Sequence, residues 1–87
     1  MDKYERAALR FANKLRRLLG KRPVGALYQG TTNSPQSCPI ANTIGKRVEV
    51  DLGSVKLPKR KLIPLPREVM IFLHAFDLGE YQHLHND

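Results

Sequence analysis

One stretch without glycine or proline begins the fold, and over residues 2–19 it reads DKYERAALRFANKLRRLL. Its apolar side chains recur at helical spacing, which predicts an amphipathic α-helix with one buried face. The residues predicted to face the core are Tyr4, Ala8, Phe11, Leu15 and Leu18. The residues predicted to face away from it are Lys3, Arg6, Arg10, Asn13 and Arg17, with Lys14 beside them. The helix therefore packs on one side and offers a row of positive charge to an anionic partner on the other.

Outward from this helix, the next segments are bounded by glycine and proline. The helix is expected to end near Gly20, because glycine suits the left-handed position after a helix and Pro23 cannot continue one. Residues 24–28 are predicted to form a short strand. Ser37 is predicted to cap a second, short helix over residues 38–44, which ends at Gly45.

A period-2 pattern follows, in which Val48 and Val50 alternate with charged residues. A turn over residues 51–54 then leads into a second alternating run, so residues 46–57 are predicted to form a β-hairpin. Residues 62 and 63 are expected to extend this sheet until Pro64 stops it. Pro66 is predicted to open a last helix at its first position, and Gly79 to end it.

The order of these elements predicts a small α+β fold in which a hairpin packs beneath two longer helices. Residues 1–84 are expected to form one domain and residues 85–87 a flexible tail. A chain of 87 residues buries only about 60–65% of the surface that its unfolded form exposes, which disfavours a deep enclosed active site.

Charge is polarised along the chain, which carries a net formal charge of +7. Residues 1–22 contain eight basic and two acidic side chains, and residues 46–67 contain seven basic and two acidic ones. Residues 23–45 contain no acidic side chain and no Lys or Arg. Residues 68–87 contain four acidic side chains and no Lys or Arg. The two basic blocks point to an anionic partner.

The last helix is predicted to be apolar on two sides. One stripe consists of Val69, Phe72, Leu73 and Phe76, which suits the core. A second stripe consists of Ile71, Ala75 and Leu78. A small chain has few residues with which to cover both stripes, so the second stripe is a candidate protein interface. The alternative is that the helix is buried on both sides within the fold.

The second half resembles a pattern in small, mostly uncharacterised proteins of actinobacteria and their phages. The residues that carry the resemblance are Cys38-Pro39-Ile40-Ala41, the hairpin over residues 47–57, Leu65-Pro66-Arg67-Glu68-Val69 with Phe72, and Phe76-Asp77-Leu78-Gly79-Glu80-Tyr81. The match covers roughly residues 37–84, and the basic first helix looks like an addition to it. The resemblance implies no activity, but it implies a small intracellular accessory protein of a phage or a bacterium.

No catalytic, cofactor or metal motif stands out, so we expect a binding protein rather than an enzyme. Cys38 is the only cysteine, which fits a reducing interior, and a lone cysteine is more often a core residue than a nucleophile. His83 and His85, with His74, form an incomplete ligand set. Without a signal peptide or an apolar run of about 20 residues, the sequence predicts an intracellular protein that does not use the membrane. The resemblance implies that the compartment is the cytoplasm of a bacterial host.

Two functions remain open. The first is nucleic-acid binding through phosphate contacts with little sequence preference, through the cations Lys3, Arg6, Arg10, Lys14, Arg17, Lys59, Arg60 and Lys61. The second is a protein-interaction module without a nucleic-acid role, either a homodimer or a modulator of an acidic host protein. It would use the charge of the first helix or the stripe of Ile71, Ala75 and Leu78. A basic amphipathic helix can also lie on a membrane surface, but here the core needs its apolar face.

Overall fold

The computed structural model describes residues 1–51 and 53–86, without the side chain of Arg60. Three helices and a small antiparallel sheet make up the fold, which confirms the predicted α+β class. The elements are α1 (Lys3–Leu18), α2 (Pro39–Ile44), β1 (Glu49–Asp51), β2 (Ser54–Leu57), β3 (Lys61–Pro64) and α3 (Arg67–Asp77), with single 3₁₀ turns at Pro58–Arg60 and Gln82–Leu84. Helix α1 packs against both other helices.

Both ends of α1 are satisfied by local hydrogen bonds. The Asp2 carboxylate accepts the backbone N–H of Glu5 at 2.8 Å, and this bond lowers the pKa of Asp2 because it favours the charged form. At the other end Gly20 has φ +76°, and the N–H of Lys21 donates to the Arg16 carbonyl at 2.8 Å. This is a Schellman motif, and it confirms that α1 ends near Gly20.

The buried face of α1 overlaps the predicted one but is not identical to it, since Ala7 and Ala12 are also buried. Phe11 and Leu15 are buried as expected. Leu18, however, is 55% exposed, and Leu19 packs against the core instead. Leu15 is the last buried residue of α1, and Leu18 lies beyond it in the last turn of the helix. Glu5, which apolar periodicity cannot identify, is also buried.

Residues 24–28 do not form the predicted strand. The Val24 N–H donates to the Asn13 side-chain oxygen at 2.9 Å, and the Tyr28 N–H donates to the Thr43 hydroxyl at 2.8 Å. Side chains on α1 and α2 therefore take the place of a neighbouring strand, and the segment is an irregular loop.

Helix α2 is capped one residue later than predicted, because the sulfur of Cys38, rather than Ser37, accepts the Ala41 N–H at 3.4 Å. Two cations cap its other end. Arg16 donates to the Thr43 carbonyl at 2.7 Å, and Lys21 donates to the Ile44 carbonyl at 2.8 Å. Both carbonyls belong to the last turn of the helix, where cations are favoured.

The predicted hairpin is confirmed, with Val50 opposite Val55 and Asp51 opposite Ser54. Leu52 of its turn lies outside the described residues. Strand β3 pairs with β2 and completes a sheet of order β1-β2-β3, as expected for residues 62 and 63. The inward side chains of the hairpin are all buried, namely Val48, Val50, Val55 and Leu57.

Helix α3 begins at Arg67, with Pro66 as its cap rather than its first residue. Its end at Gly79 (φ +102°) is confirmed, and the Glu80 N–H donates to the Ala75 carbonyl at 3.0 Å in a second Schellman motif. The expected core stripe is buried at Val69, Phe72 and Phe76, and Leu73 is half-buried.

The two ends of the described chain are joined by what we call the terminal clasp, the contacts of residues 2 and 5 with residues 81 and 83. The Tyr81 hydroxyl donates to Asp2 at 2.7 Å, and His83 Nε2 lies 2.8 Å from the buried carboxylate of Glu5. Burial and the neighbouring Asp2 carboxylate raise the pKa of Tyr81, which keeps its hydroxyl a donor.

Two residues of the expected flexible tail make specific contacts. The ring of His85 stacks on Phe76 with a centroid separation of 4.1 Å, and the Asn86 N–H donates to the Gly30 carbonyl at 3.2 Å. The Gly30 N–H in turn donates to the Leu84 carbonyl at 2.8 Å. Asp87, the third tail residue, lies outside the described residues.

The backbone of Gly30, which binds the tail, also lies directly against residues 37–39. A Cβ added at position 30 would overlap backbone atoms there. Gly30→Ala is therefore expected to lower the free energy of unfolding by at least about 2 kcal/mol. Chemical denaturation of the full chain measures this loss. Gly25→Ala is the matched control, since nothing lies within 4 Å of its added methyl group and alanine restricts the unfolded chain. Equal stability of the two variants would contradict the close approach at Gly30.

Candidate nucleic-acid interface

The first candidate surface is the basic stripe, which we define as Lys3, Arg6, Arg10, Lys14 and Arg17 of α1. All five side chains are exposed. At 100° per residue they fall within an arc of about 80°, and at 1.5 Å per residue they span about 21 Å along the helix axis. The structure therefore places these predicted residues together, on the side of α1 turned away from the core.

The charge of the basic stripe is not neutralised by ion pairs among the described residues. Within the part of the chain that the structure describes, none of its five cations forms an ion pair with a carboxylate, and the one ion pair is that of Glu5 with His83. The Lys3 ammonium lies 5.1 Å from the centroid of the Tyr4 ring. Successive members of the stripe are three or four residues apart, so each repels the next, at a cost of about 0.2–0.5 kcal/mol for each of the four pairs. The stripe thus weakens the isolated helix.

Asn13 does not join the basic stripe, although the sequence placed it on that face. Its side-chain amide donates to the Val24 carbonyl at 3.0 Å and accepts the Val24 N–H at 2.9 Å. Both groups of the amide are engaged in holding the loop after α1. The stripe is therefore left with cations only.

A second candidate surface lies where the carboxyl ends of α1 and α2 meet the hairpin. It is a groove of about 1130 Å³, which we call the basic groove. Its walls include one acid, Glu49, and six cations, namely Arg16, Lys21, Lys46, Arg47, Lys56 and Lys59. Both basic blocks of the sequence contribute to it, but the basic stripe does not line it.

The three predicted cations after the hairpin are separated. Lys59 lines the basic groove. Lys61 is exposed in β3, opposite Leu57 at the edge of the sheet. The side chain of Arg60 lies outside the described part of the chain. The groove residues Lys46 and Arg47 were not singled out by the sequence, because only the packing of α1 on α2 brings the turn after α2 beside Lys21.

The candidate protein interface is uncovered at two of its three residues. Leu78 is 72% exposed and Ile71 is 37% exposed, whereas Ala75 is half-buried. The neighbouring Met70 is also exposed. The exposed side of α3 therefore carries large apolar side chains beside the charged or polar Arg67, Glu68 and His74.

The other candidate residues are accounted for by contacts within the fold. Cys38 is buried, and burial raises the pKa of its thiol, which disfavours the reactive thiolate. The three histidines are apart: His74 is exposed on α3, His83 bonds Glu5, and His85 bonds the Glu80 carbonyl. Among the described residues no group of three or more His, Cys, Asp or Glu side chains could hold a metal ion.

None of the helices in the described part of the chain is long and apolar enough to cross a membrane. The chain matches no protein-family model, and neither a curated protein nor a solved structure is significantly similar to it.

Proposed function

We propose that this protein binds nucleic acid through phosphate contacts, with the basic stripe of α1 as the principal contact surface. The single observation that carries the proposal is the stripe itself: five exposed cations in an arc of about 80°, with no carboxylate paired to them among the described residues. A solvated face that served only solubility would be expected to mix both signs of charge.

The chemistry of the stripe favours phosphates over bases. Sequence is read by side chains that match the base edges, such as the amide of Asn or Gln or a guanidinium held in register. The stripe has no amide, because Asn13 is engaged with Val24 in both directions. Long flexible cations on a helix instead follow the charge of a phosphate backbone, with little preference for sequence.

The cellular setting that we propose is the cytoplasm of a bacterial host, where a small accessory protein of phage type meets nucleic acid. The support for this setting is the resemblance over residues 37–84 and the single, buried Cys38, which suits a reducing compartment. We propose no catalytic role, since the buried thiol and the separated histidines offer no assembled reactive group.

A second candidate function, as a protein-interaction module, is favoured by the exposure of Ile71 and Leu78 on α3. Large apolar side chains exposed together mark contact surfaces more often than isolated ones do. The partner would be a second copy of this chain or a host protein. This surface and the basic stripe lie on different helices, so the two functions do not exclude each other.

Reversing the charge of the basic stripe is expected to abolish binding. The variant with Arg6, Arg10 and Arg17 replaced by Glu should lose affinity for labelled duplex DNA, and the variant with Lys at the same positions should keep it. With four to five phosphates neutralised, log affinity should fall against log salt with a slope between about −3.6 and −4.5. Fluorescence anisotropy at several salt concentrations measures both quantities, and unchanged binding by the Glu variant would remove α1 from the interface.

Arg10→Glu alone is expected to weaken binding while it stabilises the fold. It replaces repulsion of Arg6 and Lys14 by attraction, and because both pairs change sign the free energy of unfolding should rise by about 1 kcal/mol. Arg67→Glu is the matched control, because it makes the same change of charge at an exposed position of α3. If the two variants lose affinity equally, net charge governs binding and the stripe has no special role.

Ile71→Glu and Leu78→Glu are expected to disrupt any assembly made through α3. Light scattering of the purified protein gives the mass before and after each substitution, and circular dichroism confirms that the variants fold. Leu62→Glu is the control, since Leu62 is a similarly exposed apolar residue on the sheet. Folded variants that keep the mass of an assembled wild type would show that α3 is not its interface.

A further inference from the structure

We propose that the basic groove is a binding site for single-stranded nucleic acid, in which cations hold the backbone and Tyr28 stacks on a base. This proposal rests on the nucleic-acid function proposed above, and it specifies that the basic groove binds the single-stranded form. The sites that bind single strands without sequence preference combine these two elements, a positively charged groove and an aromatic side chain.

The cations of the groove divide into two sets. Arg16 and Lys21 donate to the Thr43 and Ile44 carbonyls, so they hold the groove wall in place. The side chains of the other set make no hydrogen bond or ion pair within the part of the chain that the structure describes. This set consists of Lys46, Arg47, Lys56 and Lys59. Glu49, the one acid in the lining, lies opposite Lys56 in the hairpin register. A net positive charge is therefore available to successive phosphates.

Tyr28 supplies the aromatic surface. It is 46% exposed, and it is the only aromatic residue among the described residues that line the groove. Its backbone N–H is bound to the Thr43 hydroxyl at 2.8 Å, which anchors the residue to α2 independently of its ring. Every base has a face that can stack on such a ring, but only an unpaired base can present it.

Two groove cations have a left-handed backbone, as Asn33 and Tyr81 do outside the groove. Arg47 has φ +63° and Lys59 has φ +69°, in the left-handed region that glycine occupies more readily. Glycine at either position would relieve the strain, yet the chain has long cations there. Strained positions of this kind gather at functional sites, because the side chain is needed for something other than stability.

A continuous strand fits the groove better than a free nucleotide does. The cations come from the end of α1, the loop after it, the turn after α2, β2 and the turn after β2, so they surround the groove. A mononucleotide carries its phosphates at one end and is bound at a compact loop or helix terminus. A duplex keeps its bases stacked inside and cannot place one on Tyr28.

The test compares a labelled oligothymidylate of about 12 nucleotides with a duplex of the same length, by fluorescence anisotropy. Tyr28→Ala is expected to weaken oligothymidylate binding roughly tenfold and to leave duplex binding unchanged. Tyr28→Phe keeps the ring and is expected to bind like the wild type. Circular dichroism and thermal unfolding establish that each variant is folded.

A double variant, Arg47→Gly with Lys59→Gly, tests the cations against the fold. Each substitution is expected to raise the midpoint of thermal unfolding by about 4 °C or more. The slope of log affinity for the oligothymidylate against log salt should become shallower by about 0.7 for each phosphate that is no longer neutralised. Asn33→Gly is the control, because Asn33 also has a left-handed backbone, with φ +53°, but lies outside the groove. Its binding should match that of the wild type.

The outcomes separate the two proposals. If the Tyr28→Ala and double-glycine variants bind oligothymidylate like the wild type, while the Glu variant of the basic stripe binds neither probe, the groove proposal fails and the function of the stripe stands. If the wild type binds neither probe at low salt, both fail. If Tyr28→Ala weakens binding of the duplex as much as binding of the oligothymidylate, the groove is not a single-strand site. The same conclusion follows if thymidine triphosphate displaces the labelled oligothymidylate as effectively as an unlabelled oligothymidylate does.

Discussion

The architecture depends on two hydrogen bonds that the end of α1 makes to the end of α2. Arg16 and Lys21 satisfy the Thr43 and Ile44 carbonyls, which would otherwise be unpaired at the end of a helix of six residues. Such a short helix has little stability of its own and depends on contacts of this kind. Gly45 makes the approach possible, since its φ of +145° suits glycine and a Cβ there would overlap the Lys21 ammonium. These bonds also form one wall of the basic groove.

The sequence predicted most of the elements because they depend on local signals. Helix α1 follows from its apolar period and from Gly20, and the hairpin follows from the alternation around Val50 and Val55. The prediction of a strand over residues 24–28 was wrong because the side chains of Asn13 and Thr43 bind the backbone of this segment. The apolar content of a segment does not reveal such long-range hydrogen bonds. The basic stripe could be predicted because it lies on one helix, whereas the basic groove could not, because its cations meet only when three elements pack.

The cations of this chain therefore have two physical roles. Arg16 and Lys21 are held by carbonyl groups and belong to the fold. The cations of the basic stripe repel one another along α1, and Arg47 and Lys59 in the groove have a strained left-handed backbone, so both groups work against the fold. The contacts of each side chain distinguish the cations that stabilise the fold from those proposed to bind a partner. The net charge of the chain does not make this distinction. The division into two roles also explains why stability and binding should respond in opposite directions to the same substitution.

The terminal clasp has a consequence for local motion. Asp2 with Tyr81, and Glu5 with His83, are contacts between residues nearly 80 positions apart. Detaching residues 81–86 would break them together with the backbone bonds at Gly30, and would leave the buried Glu5 carboxylate without its partner. The amide hydrogens of Gly30 and Asn86 should therefore exchange with solvent in one cooperative opening, separate from the global unfolding that exposes the core around Phe72. The two ends of the domain are therefore expected to open together.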